Sequence, residues 1–496
     1  MRCYVFSKGP RGLLRRPPAV GPGMVMAATL ALVLQGCAVG PDYHRPTVEG
    51  TAAPWVTHTD PSPFDTVPWH SLGDPVLTDL IDAAVAHNLD VREAEAHLRE
   101  ARAERDAAAG RRLPELNATA SASREELSAN GELPVAQIPH FDRRFSLYDV
   151  GFDASWEIDL WGGTRRSVEG AGRRVEAAKA REQDIRLQVV AEVVRTYAQL
   201  RGSQAMLAAT RQDAQAQDEV ARLVHQRFVA GEASNLEDVR AESQARNAAA
   251  TVSGLDASVH AAANALALLT GRAPESLNEL ANNSAPLPLP PASAAAGLRS
   301  DVLRRRPDIQ AAEADLAAAT SDVGVETADL FPSLSLVGSL GKQARHGGDL
   351  GQGASTYYSI GPSLRWPIFA GGSIRAQIRA ANSRADAAAA RYEKAVLGAL
   401  ADSETAINRY AAARAALEER AAARAQSATA LELARQRYKA GDDDQVAVLQ
   451  AESQYAAADE AWASSAEESL EDYAALVKAL GGGWAATTPA AVAASH

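Results

Sequence analysis

Asp149-Val150-Gly151-Phe152-Asp153-Ala154-Ser155-Trp156-Glu157-Ile158 alternates strictly, placing Val150, Phe152, Ala154, Trp156 and Ile158 on one face and acids or small residues on the other. That period of two is the mark of a strand with one apolar and one polar side. After Gly162-Gly163 the period changes: a helical pattern runs over 164–230, about 67 residues, which as a single helix would reach roughly 100 Å. The same switch recurs downstream, where Tyr358, Ile360, Pro362, Leu364, Trp366 and Ile368 alternate with polar positions before Gly371-Gly372. Weaker partner strands precede each, so strands are expected at about 117–124, 145–158, 333–341 and 356–368. Segments of about ten residues with two unlike faces and aromatics near their ends are the pattern of a transmembrane β-barrel.

The chain is written twice. Asn88-Leu89-Asp90-Val91 through Leu113-Pro114-Glu115-Leu116 aligns without a gap on Arg306-Pro307-Asp308-Ile309 through Phe331-Pro332-Ser333-Leu334, at a spacing of 218. Gln226-Arg227-Phe228-Val229-Ala230-Gly231-Glu232 aligns on Gln436-Arg437-Tyr438-Lys439-Ala440-Gly441-Asp442, now at a spacing of 210. A loop longer in the first copy by about eight residues accounts for the change. The run Ala285-Pro286-Leu287-Pro288-Leu289-Pro290-Pro291, hostile to helix and central strand, separates the copies. Each copy opens with a helical region, the first with Asp74 as cap and Pro75 at its first position, the second with Pro307 and Asp308 in a similar part. Each closes with a long helical hairpin that turns at Gly231 or Gly441 and ends near Leu269-Thr270-Gly271 or Leu480-Gly481. Ile185, Val189, Val193, Tyr197 and Leu200 keep a coiled-coil-like spacing.

Only 5% of the 496 residues are aromatic, and alanine runs such as 387–390 and 411–413 recur, which suits long helices side by side. The formal charge is −12, and five basic residues (Arg2, Lys8, Arg11, Arg15, Arg16) precede residue 37; their removal takes it to about −17. Such a charge repels phosphate and excludes nucleic acid as a partner. Cys3 and Cys37 are the only cysteines, so the mature chain has no disulfide framework. The apolar run 24–34 is too short to span a bilayer and reads as the core of an export signal. It ends in Leu34-Gln35-Gly36-Cys37, similar to the lipobox of bacterial lipoproteins; Cys37 is the expected lipidation site, and Ala38 after it implies the outer membrane. The expected organisation is a signal at 1–36, an extended segment at 37–74, a first repeat at 75–273, a Pro-rich linker at 274–297, a second repeat at 298–482 and a tail at 483–496.

Four strands cannot close a barrel in lipid, where an open edge leaves backbone groups unpaired. Two copies would supply eight strands and three would supply twelve. No nucleophile with a partner, phosphate loop, or histidine pair at metal-ligand spacing occurs, so neither an enzyme nor a cofactor nor a metal site is expected. Two rival readings are a periplasmic coiled-coil scaffold, which leaves the alternating segments unexplained, and a duct for protein secretion or heavy-metal efflux, which would share the fold.

Cys37-Ala38-Val39-Gly40-Pro41-Asp42-Tyr43, Arg305-Arg306-Pro307-Asp308-Ile309, Ala267-Leu268-Leu269-Thr270-Gly271 and the doubled turns at Gly231 and Gly441 together resemble the outer-membrane efflux proteins of the TolC class, in the lipidated OprM/NodT branch. The resemblance covers the mature chain. It implies a mainly helical TolC-like α/β barrel fold: a homotrimer with a twelve-stranded barrel and a long periplasmic helical tunnel. It also implies an exit duct for small molecules such as drugs, a periplasmic membrane-fusion adaptor docking at Gly231, Glu232 and Gly441, and an inner-membrane RND-type pump. In that family the tunnel narrows near the second turn, where relatives often carry an aspartate; here the corresponding stretch is Val448-Leu449-Gln450-Ala451. The nearby Asp442, Asp443 and Asp444 are the candidate replacement, with Gln450, for an acidic aperture, and helix-capping acids at a solvated turn would read the same way.

Overall fold

The computed structural model describes residues 38–48, 53–57, 68–129, 139, 142–293 and 295–483; Cys37, the expected signal at 1–36 and all of the expected tail beyond Gly483 lie outside them. Two compact units result, one holding 109–167 and 322–378 with the chain up to Pro41, the other holding 42–108, 168–321 and the chain from Arg379 on.

In chain order the elements are α1 (Pro75–His87), α2 (Leu89–Gly110), β1 (Glu115–Glu126), β2 (Arg144–Ile158), α3 (Gly163–Val229), α4 (Asn235–Leu269) and a short α5 (Asn278–Asn282). The second copy gives α6 (Arg299–Arg305), α7 (Pro307–Ala328), β3 (Ser333–Ala344), β4 (Thr356–Arg365), α8 (Ser373–Ala440) and α9 (Gln445–Ala479). The fold is mainly helical with one small sheet.

In the first unit the strands form one antiparallel sheet in the order β1-β2-β3-β4. Ala118, Phe152, Leu340 and Tyr358 stand in one row across it, and Asn117, Asp153, Ser339 and Ser359 in the next. Because side chains alternate, the first row lies on one face and the second on the other. Strand β4 stops at Arg365, short of Ile368, because Pro367 offers no N–H and the Ile368 N–H turns back to the Trp366 carbonyl at 2.9 Å. Residues 127–143 join β1 to β2 and 345–355 join β3 to β4, so the first copy's extra length lies in its hairpin connection and the earlier start of β2. At the sheet's helix-proximal end the Trp161 ring stacks on Phe331 at 4.6 Å and its Nε1 donates to the Pro332 carbonyl at 2.9 Å. Asp159 accepts from the Thr164 and Arg165 amides and so starts α3.

The second unit is a bundle whose core is built by Val193, Tyr197 and Leu200 of α3 with Leu77 of α1, Leu266 of α4, Val302 of α6 and Leu470 of α9. Each opening region consists of two helices. Between α1 and α2, Asn88 leaves helical geometry, its Oδ1 accepts from the Asp90 and Val91 amides, and its Nδ2 donates to the Leu269 carbonyl. Between α6 and α7, Arg306 breaks the helix in the same way. In both cases a side chain ties the break to the end of the long hairpin, Asn88 to the Leu269 carbonyl and Arg306 to the Ala479 carbonyl. Contacts in this unit set an order of four rods. Glu95 of α2 pairs with Arg186 of α3 at 2.9 Å, Arg181 of α3 pairs with Asp315 of α7, and Ile309 and Leu316 of α7 share a core with Tyr392 and Val396 of α8. Farther along, Arg211 of α3 pairs with Asp256 of α4, Ser453 of α9 donates to Asp213 of α3, and Arg435 of α8 pairs with Glu452 of α9. The order is therefore α2 and α4, then α3, then α7 and α9, then α8.

Candidate functional site

Among the described residues, nothing of the chain is laid over the apolar face of the sheet. Phe152 and Leu340 are each 55% exposed, Ile360 74% and Tyr358 78%, in strands that a packed core would cover. Contiguous exposed apolar rows of this kind mark a surface made for another medium or partner. The opposite face is hydrophilic and joined by side-chain bonds: Asp149 accepts from the Tyr357 hydroxyl at 3.1 Å and from Gln343 Nε2 at 3.0 Å. The facing pair Gly151 and Gly341 makes room for the Tyr357 ring, since a Cβ on Gly341 would meet its hydroxyl at 2.8 Å. Strands β1 and β4 are paired on one side only within the sheet. Each presents a free ladder of backbone donors and acceptors, which in lipid must find a partner.

The second candidate region is the pair of turns in the bundle. Gly231 (φ +81°) and Gly441 (φ +80°) each end a long helix in the left-handed conformation. The Glu232 amide donates to the Arg227 carbonyl and the Asp442 amide to the Arg437 carbonyl, closing the same capping motif twice. Ser234 then caps α4 with Glu237 in a capping box, and Asp444 caps α9 by accepting from the Ala447 amide at 3.0 Å. The three candidate acids are not equivalent. Asp442 is exposed, Asp443 faces Arg437 at 2.9 Å, and Asp444 reaches Arg227 of α3 at 3.1 Å while it caps. The cap amide and the Arg227 guanidinium hold the Asp444 carboxyl below its ordinary range. Gln450 is exposed on α9, next to buried Leu449. The two turns are thus brought together through Arg227, which sequence reasoning did not single out. The same holds for Gln217 and Asp213, which hold Ser453, and for Glu219, which holds Gln445. Such cross-helix partners carry no local signal. Among the described residues no group of three or more His, Cys, Asp or Glu could hold a metal.

One buried acid of the bundle was also not singled out. Glu467 of α9 lies against Gly202 of α3, where a Cβ would collide with its carboxylate, and its Oε2 is buried without a hydrogen-bond partner. Burial, then the charge of Glu471, push its pKa up to about 7. The folded state therefore holds a proton that the unfolded chain releases near the ordinary carboxyl value, so this site favours folding below about pH 4.5 and the advantage is lost as pH rises through about 7. Glu467→Gln should flatten the fall in melting temperature between pH 5 and pH 8. An unchanged slope would show that the carboxylate finds solvent or a cation.

A model of the family described as outer membrane efflux protein matches residues 80–272 and 298–482, one match for each copy of the repeat. Outer membrane protein OprJ of Pseudomonas aeruginosa is 32% identical over 95% of this chain and 97% of its own length. Nodulation protein T of Rhizobium leguminosarum is 29% identical over 92% of this chain and 96% of its own. The toluene efflux pump outer membrane protein TtgF of Pseudomonas putida gives the same values. Among solved structures, the outer-membrane channel OprN is similar with a TM-score of 0.78 at 36% identity, over 90% of this chain and 100% of that one. The open state of the Neisseria gonorrhoeae MtrE outer membrane channel is similar with a TM-score of 0.75 at 29% identity, over 90% and 99%.

Proposed function

The chain belongs to the outer membrane efflux protein family, and from that premise we infer that it is the outer-membrane channel of a tripartite efflux system, an exit duct for small molecules such as drugs or toxic compounds. The observation that carries this is the four-stranded sheet, apolar and exposed on one face, hydrophilic on the other, and free at both edges. Three copies joined β1 to β4 make a closed barrel of twelve strands, antiparallel throughout because the strand number per copy is even. The apolar face then meets lipid and the Asp149 face lines the pore. A membrane-fusion adaptor docks at the Gly231-Glu232 and Gly441 turns, and an inner-membrane RND-type pump supplies the substrate. Asp442, exposed beside two paired acids, is the residue through which a threefold aperture acts on charge, with Gln450 beyond it. Cys37 carries the lipid. In support, the chain just after it is held to the sheet unit: the Val39 amide donates to the Trp161 carbonyl at 3.0 Å, and Gly40 lies so close to Gly324 that a Cβ would not fit.

The test is a deletion strain challenged with dyes, antibiotics, aromatic acids and metals, then complemented with the wild type, Cys37→Ser, and Asp442, Asp443 and Asp444→Ala. Loss of the gene should sensitise the cells to at least one compound, and the wild type should restore resistance. The alanine triple variant should shift the relative resistance between cationic and anionic compounds. Undiminished resistance of the deletion strain to every compound would sink the efflux assignment.

A further inference from the structure

The charges of the sheet are sorted by face. Even-numbered residues of β1 to β4 share the apolar face and odd-numbered residues the hydrophilic one, since the register pairs even with even throughout. Of the six acids in the strands, Glu115, Glu125, Asp149, Asp153 and Glu157 lie on the hydrophilic face, and only Glu126 lies on the other. For the four bases the reverse holds: Arg124, Arg144 and Lys342 lie on the apolar face, with Arg365 alone opposite.

The three bases also gather at one end. Reading away from the helices, β1 passes four uncharged positions of this face from Leu116 to Ala122 before Arg124, and β3 passes four from Leu334 to Leu340 before Lys342. Eight residues from Leu116 to Arg124 make about 27 Å along a strand, which a tilt of about 35–45° turns into roughly 20 Å of height in a barrel. That is close to the apolar band of such barrels, so Arg124 and Lys342 stand at its far edge, level with lipid headgroups. The helix-proximal end of the same face closes on Ile158, Leu334 and Leu364 without a charge in the strands. Basic side chains that merely reach for water would serve both rims alike. Hydroxyls accompany the bases: Ser146 stands opposite Arg124 and Thr356 opposite Lys342. Among the described residues Arg124 and Lys342 enter no ion pair, although Lys342 Nζ donates to the Gly351 carbonyl at 3.2 Å. Arg144, its side chain 72% exposed, shares Glu126 with Arg143.

We propose that this distal rim binds a phosphate-bearing glycolipid of the outer leaflet, with Arg124, Arg144 and Lys342 on its phosphates and Ser146 and Thr356 on its sugar. The assignment rests on the barrel inferred above, in which the apolar face meets lipid and the helices leave on the periplasmic side. Guanidinium and ammonium groups hold phosphate oxygens by charge-assisted bonds. The hydroxyls beside them suit a sugar and have no counterpart in a plain phospholipid. Acyl chains then continue down the apolar rows, so one lipid meets both parts of the face.

The test titrates fluorescent lipid A into the detergent-extracted full chain and repeats the titration with lipid A stripped of its phosphates. The intact lipid should bind roughly tenfold tighter or more. Arg124→Gln, Arg144→Gln and Lys342→Gln together should remove that preference, whereas Arg365→Gln, on the opposite face, should keep it. Glu126→Gln, which deletes the one acid of the rim, should strengthen binding, a result independent of whether the triple variant folds. Inorganic phosphate and phosphatidylglycerol should compete poorly. Equal binding of the two forms of lipid A overturns the proposal, as does a triple variant of native heat-modifiable migration that keeps the preference, or a Glu126→Gln variant without gain. Competition by phosphatidylglycerol as strong as by lipid A assigns the rim to any anionic lipid and overturns the choice of glycolipid. A chain that never shows barrel migration fails the channel reading itself; one that shows it and ignores phosphate fails only this inference.

Discussion

Arginine at both Leu340 and Ile360 should abolish membrane insertion, while arginine at Ser339 and Ser359, one residue earlier on each strand, should be tolerated. The two pairs are neighbours on the same strands and occupy opposite faces: Leu340 and Ile360 lie with Phe152 and Tyr358, whereas Ser339 and Ser359 lie with Asp153. A charged residue on the lipid side of a barrel costs about 2–4 kcal/mol near the bilayer middle, and on the pore side close to nothing. With two substitutions in each of three copies the penalty is on the order of 10 kcal/mol or more per assembly, enough to exceed the stability of most proteins. The measurement is the share of chain in the outer-membrane fraction together with its heat-modifiable migration. If the Leu340 and Ile360 variant inserts and the Ser339 and Ser359 variant does not, the sheet is inside out and the pore is lined by its apolar face.

Arg306→Met should destabilise the bundle by about 3–5 kcal/mol, the cost of removing one partner of a buried ion pair. The Arg306 side chain is 12% exposed. Its Nε and Nη2 meet both oxygens of Asp308 at 3.1 and 2.7 Å, and its Nη1 donates to the Ala479 carbonyl at the end of α9. Two-pronged pairing of this kind is the strongest form of a charge-assisted bond. The substitution leaves Asp308 half-buried and short of its cation, and it leaves the Ala479 carbonyl at the end of α9 held by the Ser403 hydroxyl alone. Thermal melting of the extracted protein checks the loss. Adding Asp308→Asn to Arg306→Met should recover part of it, because the uncompensated charge goes; equal loss in single and double variants would assign the effect to the Ala479 contact alone.

The same two cases show what could be read beforehand. The strand faces follow from periodicity alone, since Val150, Phe152 and Trp156 alternate with acids, and the sheet places them as that alternation requires. The long helix after Gly162 was equally plain, because nothing in 164–229 interrupts a helical pattern. The break at Asn88 was not legible, although Asn88 has cap chemistry, whereas Pro307 marked the helix start that follows Arg306. Each break is fixed by a bond to a residue far along the chain, Leu269 or Ala479, and no window of sequence contains both ends. At the turns the glycines announce themselves, whereas the partition of Asp442, Asp443 and Asp444 among solvent, Arg437 and Arg227 depends on which rod lies alongside. The end of β4 at Arg365 was misjudged because the alternation of apolar residues continues to Ile368 past a proline that ends the ladder.

The contact of Arg227 with Asp444 differs in kind from that of Arg306 with Asp308. Its two side chains are 49% and 51% exposed, so water competes for both ions and the pair contributes roughly 0–1 kcal/mol. Dissolved salt weakens it further, since screening acts over about 8 Å at physiological ionic strength. Grip between the rods is therefore graded: firm where the charges are buried, as at Arg306, and slack where they are not, as at Arg227. A visitor that offers the slack end a few modest bonds of its own can part the rods there without loosening them elsewhere, and brine alone should begin the same yielding.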